Sequence, residues 1–264
     1  MAPKDRQVIN EVHLCDCMEF MKGIPDKHYA LAIVDPPYGG GGKASWAGKS
    51  RSRFGGRFDR YHITDGDTVA TVDSPVIKVH RSGGIWMKKY GSEDGKAGND
   101  ISHWDFAPGP EYFEELFRIS ENQIIWGGNY FGLPPTRCFV VWRKPTISEN
   151  FSMAMGEYAW CSFNSNAKIF SAVPNGSRKN PRIHPTQKPV SLYKWLLGRY
   201  ALQGATVFDS HVGSGSLRIA CHDMGFGFEG CEIDPVYWEA QERRFKQHVE
   251  GFNSPPPAMD DQAA

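Results

Sequence analysis

Residues 205 to 233 constrain the fold more than any other stretch. They read as an apolar strand (Ala205 to Phe208), a turn of small residues from Asp209 to Ser216, a helix near 216 to 224, and a second strand from Gly227 to Ile233. Two strands joined through a helix have to lie parallel, and a parallel sheet is stable only when both of its faces are covered. The chain is therefore expected to be α/β.

The remaining pattern agrees. Val12 and Leu14 mark a short strand ending at Cys15-Asp16, followed by a helix around 17 to 23 that Gly23 and Pro25 close. Leu31, Ile33 and Val34 form a buried strand that stops at Asp35-Pro36-Pro37-Tyr38, because proline has no N–H to give a ladder and restricts the residue before it. Further on come a helix near 110 to 119, strands at Gln123 to Trp126, Cys138 to Trp142 and Tyr158 to Phe163, a helix over about 189 to 202, and a last helix from 235 to about 249. Strands alternating with helices predict a doubly wound, Rossmann-like, mostly parallel sheet. From Gly39 to about Asp105 no period of 2 or 3.6 residues is sustained, so residues 39 to 105 read as an insertion into a main domain of residues 1 to 38 and 106 to 250. The end, residues 251 to 264, reads as a disordered tail.

Charge excludes one easy explanation. Lys+Arg and Asp+Glu number 30 each, so any contact with a polyanion must be a local patch. The six cysteines show neither zinc spacing nor disulfide-scaffold density and read as reduced thiols. No stretch approaches the ~18 apolar residues of a membrane span, and the first residues lack an apolar signal core, so a soluble cytoplasmic protein is expected. No metal is expected, and a homodimer is compatible with the sequence.

The turn at 209 to 216 lies between strand and helix, where small residues let backbone approach a ligand; alone it is equally a tight turn. Glu232, at the end of the next strand, stands where an acid can accept hydrogen bonds from ribose hydroxyls. Together they indicate an adenosine-containing cofactor. Only Gly213 and Gly215 are present, too few glycines for the usual pyrophosphate turn, so a cofactor without phosphates fits better.

Asp35-Pro36-Pro37-Tyr38 suggests the reaction. An exocyclic amine of adenine or cytosine is a poor nucleophile because its lone pair is delocalised into the ring. Acceptors aimed at its N–H groups favour the pyramidal geometry it needs to attack. The Asp35 carboxylate and Pro36 carbonyl are candidates for these acceptors, Pro37 stiffens the backbone, and Tyr38 is placed to stack on an extruded base. Taken alone, the tetrapeptide is also an ordinary turn at a strand end.

With these motifs in this order, the chain resembles the amino-specific DNA methyltransferases of the permuted, beta-type arrangement, in which D-P-P-Y precedes the glycine motif. The resemblance implies S-adenosylmethionine as cofactor and DNA as substrate. It also implies that Asp16 contacts the cofactor adenine and that Thr186 and Lys188, in His184-Pro185-Thr186-Gln187-Lys188-Pro189, lie near its methionine and ribose end. Asp209, His211, Gly213, Ser214, Gly215 and Ser216 would line the cofactor turn, with Glu232 on the ribose. Ser210 and His211 depart from the family's usual Pro and Phe, and Ser216 from its Thr. D-P-P-Y is more typical of adenine N6 than of cytosine N4 enzymes, and both remain open.

Lys43, Lys49, Arg51, Arg53, Arg57 and Arg60 face a single acid, Asp59, and alternate with Trp46, Phe54 and Phe58. That combination suits phosphate neutralisation and base stacking, and equally a solvated loop. Trp126-Gly127-Gly128-Asn129 and Trp142 to Pro145 are candidates for the target pocket or ordinary loops. The rival readings are an RNA or protein-amide methylase, a DNA-binding relative without catalysis, and a nicotinamide oxidoreductase; the last leaves Asp35 to Tyr38 unexplained.

Overall fold

The computed structural model describes residues 9–39, 63–65, 68–70, 106–150, 154–174 and 182–253. The chain divides into two compact units, Met1–Tyr38 with Ala107–Ala264, and Gly39–Phe106. In chain order the strands are β1 (Asn10–Leu14), β2 (Tyr29–Val34), β3 (Ile63–Asp65), β4 (Thr68–Ala70), β5 (Ser120–Trp126), β6 (Phe139–Arg143), β7 (Gly156–Cys161), β8 (Lys168–Ser171), β9 (Thr206–Asp209) and β10 (Gly227–Glu232). The helices are α1 (Cys17–Lys22), α2 (Pro110–Ile119), α3 (Val190–Tyr200), α4 (Ser216–Met224) and α5 (Pro235–Asn253).

Eight strands of the larger unit form one sheet in the order β1-β10-β9-β2-β5-β7-β6-β8. Every neighbouring pair is parallel except those of β7, which runs against both β5 and β6. Strand β2 shows why both faces are covered. Leu31 and Ile33 enter a core with Ile124, Trp126, Val207, Leu192 and Leu196, whereas Ala32 and Val34 enter a second core with Met21, Tyr112, Leu116, Ile125 and Phe208. Successive side chains point to opposite faces, so a strand apolar at every position needs a layer on each side. Helices α1 and α2 supply one layer and α3, α4 and α5 the other. Each fully buried Leu or Ile contributes about 1.5–3 kcal/mol.

Local chemistry sets the element ends. The Asp16 carboxylate caps α1 by accepting from the backbone N–H groups of Met18 and Glu19, and Pro110 begins α2, where a missing N–H costs nothing. Arg118 of α2 donates to the carbonyls of Met21 and Ile24 at 2.8 and 2.7 Å, tying α2 to the end of α1.

The structure departs from the sequence reading in three places. Strand β8 was not expected: it is an edge strand whose side chains are largely exposed, so it joins β6 through backbone bonds and leaves almost no apolar period. In the smaller unit, β3 and β4 pair antiparallel from Ile63↔Ala70 to Asp65↔Thr68, within a stretch read as lacking regular pattern. The sequence between them, Gly66-Asp67, is a two-residue hairpin signal too short to register as a period. Helix α5 continues to Asn253, into the stretch read as tail; it ends just before Ser254-Pro255, where the residue ahead of a proline is pushed out of helical geometry.

Candidate active site

At the carboxyl edge of β9 and β10 the turn folds back over its own sheet. Gly213 and Gly215 adopt φ of +53° and +69°, left-handed conformations that cost a side-chain-bearing residue roughly 1–2 kcal/mol. The Gly213 N–H donates to Glu232 Oε2 at 2.8 Å, and the Asp234 N–H donates to Oε1 at 3.0 Å. Val212 N–H donates to the Cys231 carbonyl, Gly215 N–H to the Val212 carbonyl, and His211 N–H to Asp209 Oδ1. These four N–H groups of the turn are thus already engaged internally and do not form a phosphate cradle. Two backbone donors hold Glu232 in one orientation, and its remaining lone pairs are available to hydroxyls.

The acids here lie in dry surroundings. Burial pushes the Asp209 carboxyl up to about 8, partly offset by the His211 N–H, with Asp35 and Glu232 nearby adding to the rise. Glu232 is raised as well, chiefly by burial. Such acids favour a cationic partner. Ser214 and Ser216 are buried and turned towards α5, where Arg244 donates to the Ser214 carbonyl at 2.6 Å and the Ser216 hydroxyl at 2.9 Å.

The two unusual residues of the turn have a structural counterpart. The Ser210 hydroxyl lies 2.6 Å from Tyr112 Oη and 2.8 Å from His211 Nδ1, and the Tyr112 and His211 rings meet edge to face at 5.6 Å. Burial lowers the His211 imidazole to about 4, with the Asp16 carboxylate opposing. Asp16 therefore lies near His211 while capping α1. His184 packs against Tyr237 at 4.4 Å and beside Gly213, where a Cβ would meet its ring at 3.3 Å; burial pushes it down to about 3. The exposed Thr186 hydroxyl is 3.1 Å from His184 Nδ1.

An adenosine cofactor bearing positive charge and no phosphate fits this donor set. Four of the turn's amides are committed, the nearby acids are carboxylates and the nearby imidazoles are held neutral by burial, and side chains at Gly213 or Gly215 would crowd His184 or Gln241.

The other half of the edge is built differently. Asp35 follows β2, and its Oδ1 accepts from the Tyr38 hydroxyl at 2.7 Å. Its Oδ2 pairs with the Lys188 ammonium, whose second partner is Glu157 Oε2 at 3.1 Å. Glu157 Oε1 in turn pairs with Lys144. Lys188 is 1% exposed and also lies 5.1 Å above the Trp126 ring. Burial alone would lower its ammonium, yet the Asp35 and Glu157 carboxylates hold it above its usual range. Burial likewise pushes Glu157 up, and Lys188 and Lys144 bring it below the ordinary carboxylate value. Lys188 thus sits at the acid after β2, a contact absent from the cofactor-side role its motif implied.

Tyr38 rests on Gly127, which has φ +67° and where a Cβ would lie 2.1 Å from the ring. It stacks on Tyr130 at 4.8 Å, and burial, followed by Asp35, raises its hydroxyl. Beside it lies a cavity of about 160 Å³, lined in part by Tyr38, Trp142, Lys144, Glu157 and Lys188. Pro36 is buried between β2 and Tyr38, with Pro37 half-buried. Glu157, Tyr112 and Tyr130 were not singled out in the sequence. Glu157 opens a short strand with no motif around it, and nothing local marks it. Lys43, Lys49, Arg51, Arg53, Arg57 and Arg60 lie outside the described residues.

Among the described residues, His222, Asp223 and His248 bring metal-type ligand atoms within 4.8 Å of one another. Lys194 holds the other Asp223 oxygen at 2.7 Å, so the group ties α3, α4 and α5 through an ion pair. No helix among the described residues is long and apolar enough to cross a membrane.

Comparison with known proteins agrees with this chemistry. The N6/N4 family model, described as DNA methylase, matches residues 80–243, which include the His184–Pro189 segment, the glycine turn and Glu232 but not Asp35 to Tyr38. The Type II methyltransferase M1.MboII of Moraxella bovis is 22% identical over 255 residues, covering 87% of this chain and 94% of that protein. M.HpaI of Haemophilus parainfluenzae, also a Type II methyltransferase, is 36% identical over 90 residues, which span only 28% of its length and 34% of this chain. The PvuII DNA methyltransferase, a cytosine-N4-specific enzyme, shares the fold at a TM-score of 0.50 and 11% identity, covering 92% of this chain and 91% of its own. With more than half of its length matched by the family model and a turn suited to a phosphate-free adenosine cofactor, the chain belongs to the N6/N4 family of S-adenosylmethionine-dependent DNA methylases.

Proposed function

We propose that this chain methylates the exocyclic N6 of adenine in duplex DNA, on a base turned out of the helix, as the modification enzyme of a restriction-modification pair. The observation carrying this reading is the Asp35 carboxylate, held at the end of β2 by Tyr38 and Lys188 and electrostatically coupled to Asp209. The Type II methyltransferase relatives support the restriction-modification role.

S-adenosylmethionine supplies a methyl group made electrophilic by its sulfonium. Glu232 would accept from the ribose hydroxyls, Asp209 would balance the cofactor's positive charge once that charge draws off its proton, and Asp16 with His211 would border the adenine. Asp35 Oδ1 takes an N–H of the target amine once the Tyr38 hydroxyl leaves it, and the Pro36 carbonyl takes the other. Tyr38 then stacks on the base. Acceptors that strengthen as the amine pyramidalises are each worth about 10²–10³-fold in rate. Direct transfer would form the N–C bond as the cofactor's S–C bond breaks, releasing S-adenosylhomocysteine as a neutral thioether, so no covalent link to the enzyme would form and the methylated ammonium would give its proton to solvent without a dedicated base. Residues Lys43 to Arg60 would neutralise DNA phosphates.

Adenine rather than cytosine is favoured by Asp at the first position of D-P-P-Y. The test is methyl transfer from labelled cofactor to mixed-sequence duplex DNA, with nucleoside mass spectrometry of the digest. N6-methyladenine is expected. N4-methylcytosine would replace the base assignment, and no label despite cofactor binding would overturn the DNA reading.

A further inference from the structure

Lys188 alone would be enough to hold Asp35, yet the structure adds two more charges behind it. Asp35, Lys188, Glu157 and Lys144 alternate in sign, from the end of β2 through the segment before α3 to the start of β7 and the residue after β6. Lys188 and Lys144 are 1% and 5% exposed, and Glu157 borders the cavity beside Tyr38. Buried charges persist only where each is paired, and removing one member of such a chain leaves the next uncompensated.

A lysine bonded to a single carboxylate directs its whole charge there. It then draws electron density from the acceptor that the target amine needs. Shared with Glu157, the same ammonium fixes Asp35 Oδ2 in place while leaving Oδ1 a strong acceptor. We propose that Glu157, backed by Lys144, is a positioning residue for Asp35, dividing the Lys188 ammonium so that it orients the catalytic carboxylate without weakening it. This rests on the reading of Asp35 as the amine acceptor.

The other charged and titratable groups around this chain do not replace Glu157. Asp209 is pushed towards its protonated form, His184 is held neutral, and Tyr38 and Tyr193 are raised by burial. Arg182 lines the same cavity and adds positive charge rather than removing it.

The dependence of Lys144 on Glu157 provides a test that simple loss of structure would not pass. Glu157→Gln leaves a surplus positive charge and should lower kcat about 30-fold, with cofactor Kd unchanged within about twofold. Lys144→Met leaves a surplus negative charge and should lower kcat about fivefold. The E157Q/K144M double variant still leaves Lys188 on Asp35 alone, and because Lys144 acts through Glu157 it should match E157Q at about 30-fold, whereas independent effects would multiply to about 150-fold. Thermal midpoint and cofactor calorimetry accompany each variant. If E157Q gives no folded protein, Glu157→Asp keeps the charge but shortens the reach, and its kcat should still fall while cofactor binding holds. Normal kcat in E157Q or E157D, or a double variant whose losses multiply, would overturn the proposal. Asp35→Ala separates the two ideas: an active D35A defeats the acceptor reading itself, whereas an inactive D35A beside a normal E157Q defeats only the role of Glu157.

Discussion

The two halves of the sheet's carboxyl edge hold their acids by different means. Over β9 and β10, Glu232 and Asp209 are fixed by backbone N–H groups from the adjoining turn, within 19 residues for the Gly213 to Glu232 bond. Over β2, β7 and β6, Asp35 and Glu157 are fixed by lysine side chains, the Asp35–Lys188 pair bridging 153 residues of sequence. Backbone donors are dipoles that neither titrate nor leave, which suits an acid holding a cofactor in one pose. Ammonium groups bring full charge, so they set how strongly a carboxylate can accept as well as where it sits. On the proposed reading, the first half binds and the second tunes.

The largest effect that would test this division is Asp35→Ala, expected to cut methyl transfer about 10³-fold while cofactor Kd by calorimetry stays within about threefold. A large loss of cofactor affinity instead would merge the two halves into one binding site. On the other half, Glu232→Gln should weaken the cofactor by about 30–100-fold, near 2–3 kcal/mol for hydrogen bonds to a charged group. Its kcat at saturating cofactor should change little; a kcat defect of similar size would break the distinction.

Gly127→Ala probes the target side through packing. A methyl group there meets the Tyr38 ring in a left-handed backbone, so we expect about 1–3 kcal/mol of destabilisation and a raised KM for DNA. Unchanged melting and KM would mean that Tyr38 has another resting place.

On the cofactor side, Asp209 titrates with a defined sign. Its folded value of about 8 lies above the unfolded value near 3.8, so the folded state binds the extra proton and loses stability as pH rises from about 4 through 8. Without cofactor, the thermal midpoint of Asp209→Asn relative to the parent should therefore climb by a few degrees between pH 5 and pH 8.5. A difference that stays flat would show an ionised Asp209 already paired. Smallest is Tyr112→Phe, expected to cost about 1 kcal/mol for the lost hydroxyl bond to Ser210, read as a lower melting midpoint with kcat unchanged.

Much of the binding half was legible in the sequence. Leu31 to Val34, the glycine turn and Glu232 carry their signals within a few residues, since strand period and left-handed turns are local consequences of backbone sterics. Even Ser210 and His211, which looked like departures, needed only one distant partner, Tyr112, to make sense. The tuning half was legible only at Asp35 to Tyr38. Glu157 lies in GEYAWC, a strand with no motif, and Lys188 carried a resemblance that pointed to the cofactor rather than to Asp35.

The sequence by itself therefore determined the α/β class, most of the elements, the cofactor chemistry and the identity of the acid after β2. The tertiary structure alone decided that β7 enters between β5 and β6 in the reverse direction, bringing Glu157 to the same edge as Asp35, Lys188 and Lys144. Local signals arise from the geometry of neighbouring peptide units. The partner of a buried charge is selected by strand order across more than a hundred residues, which no window on the chain contains.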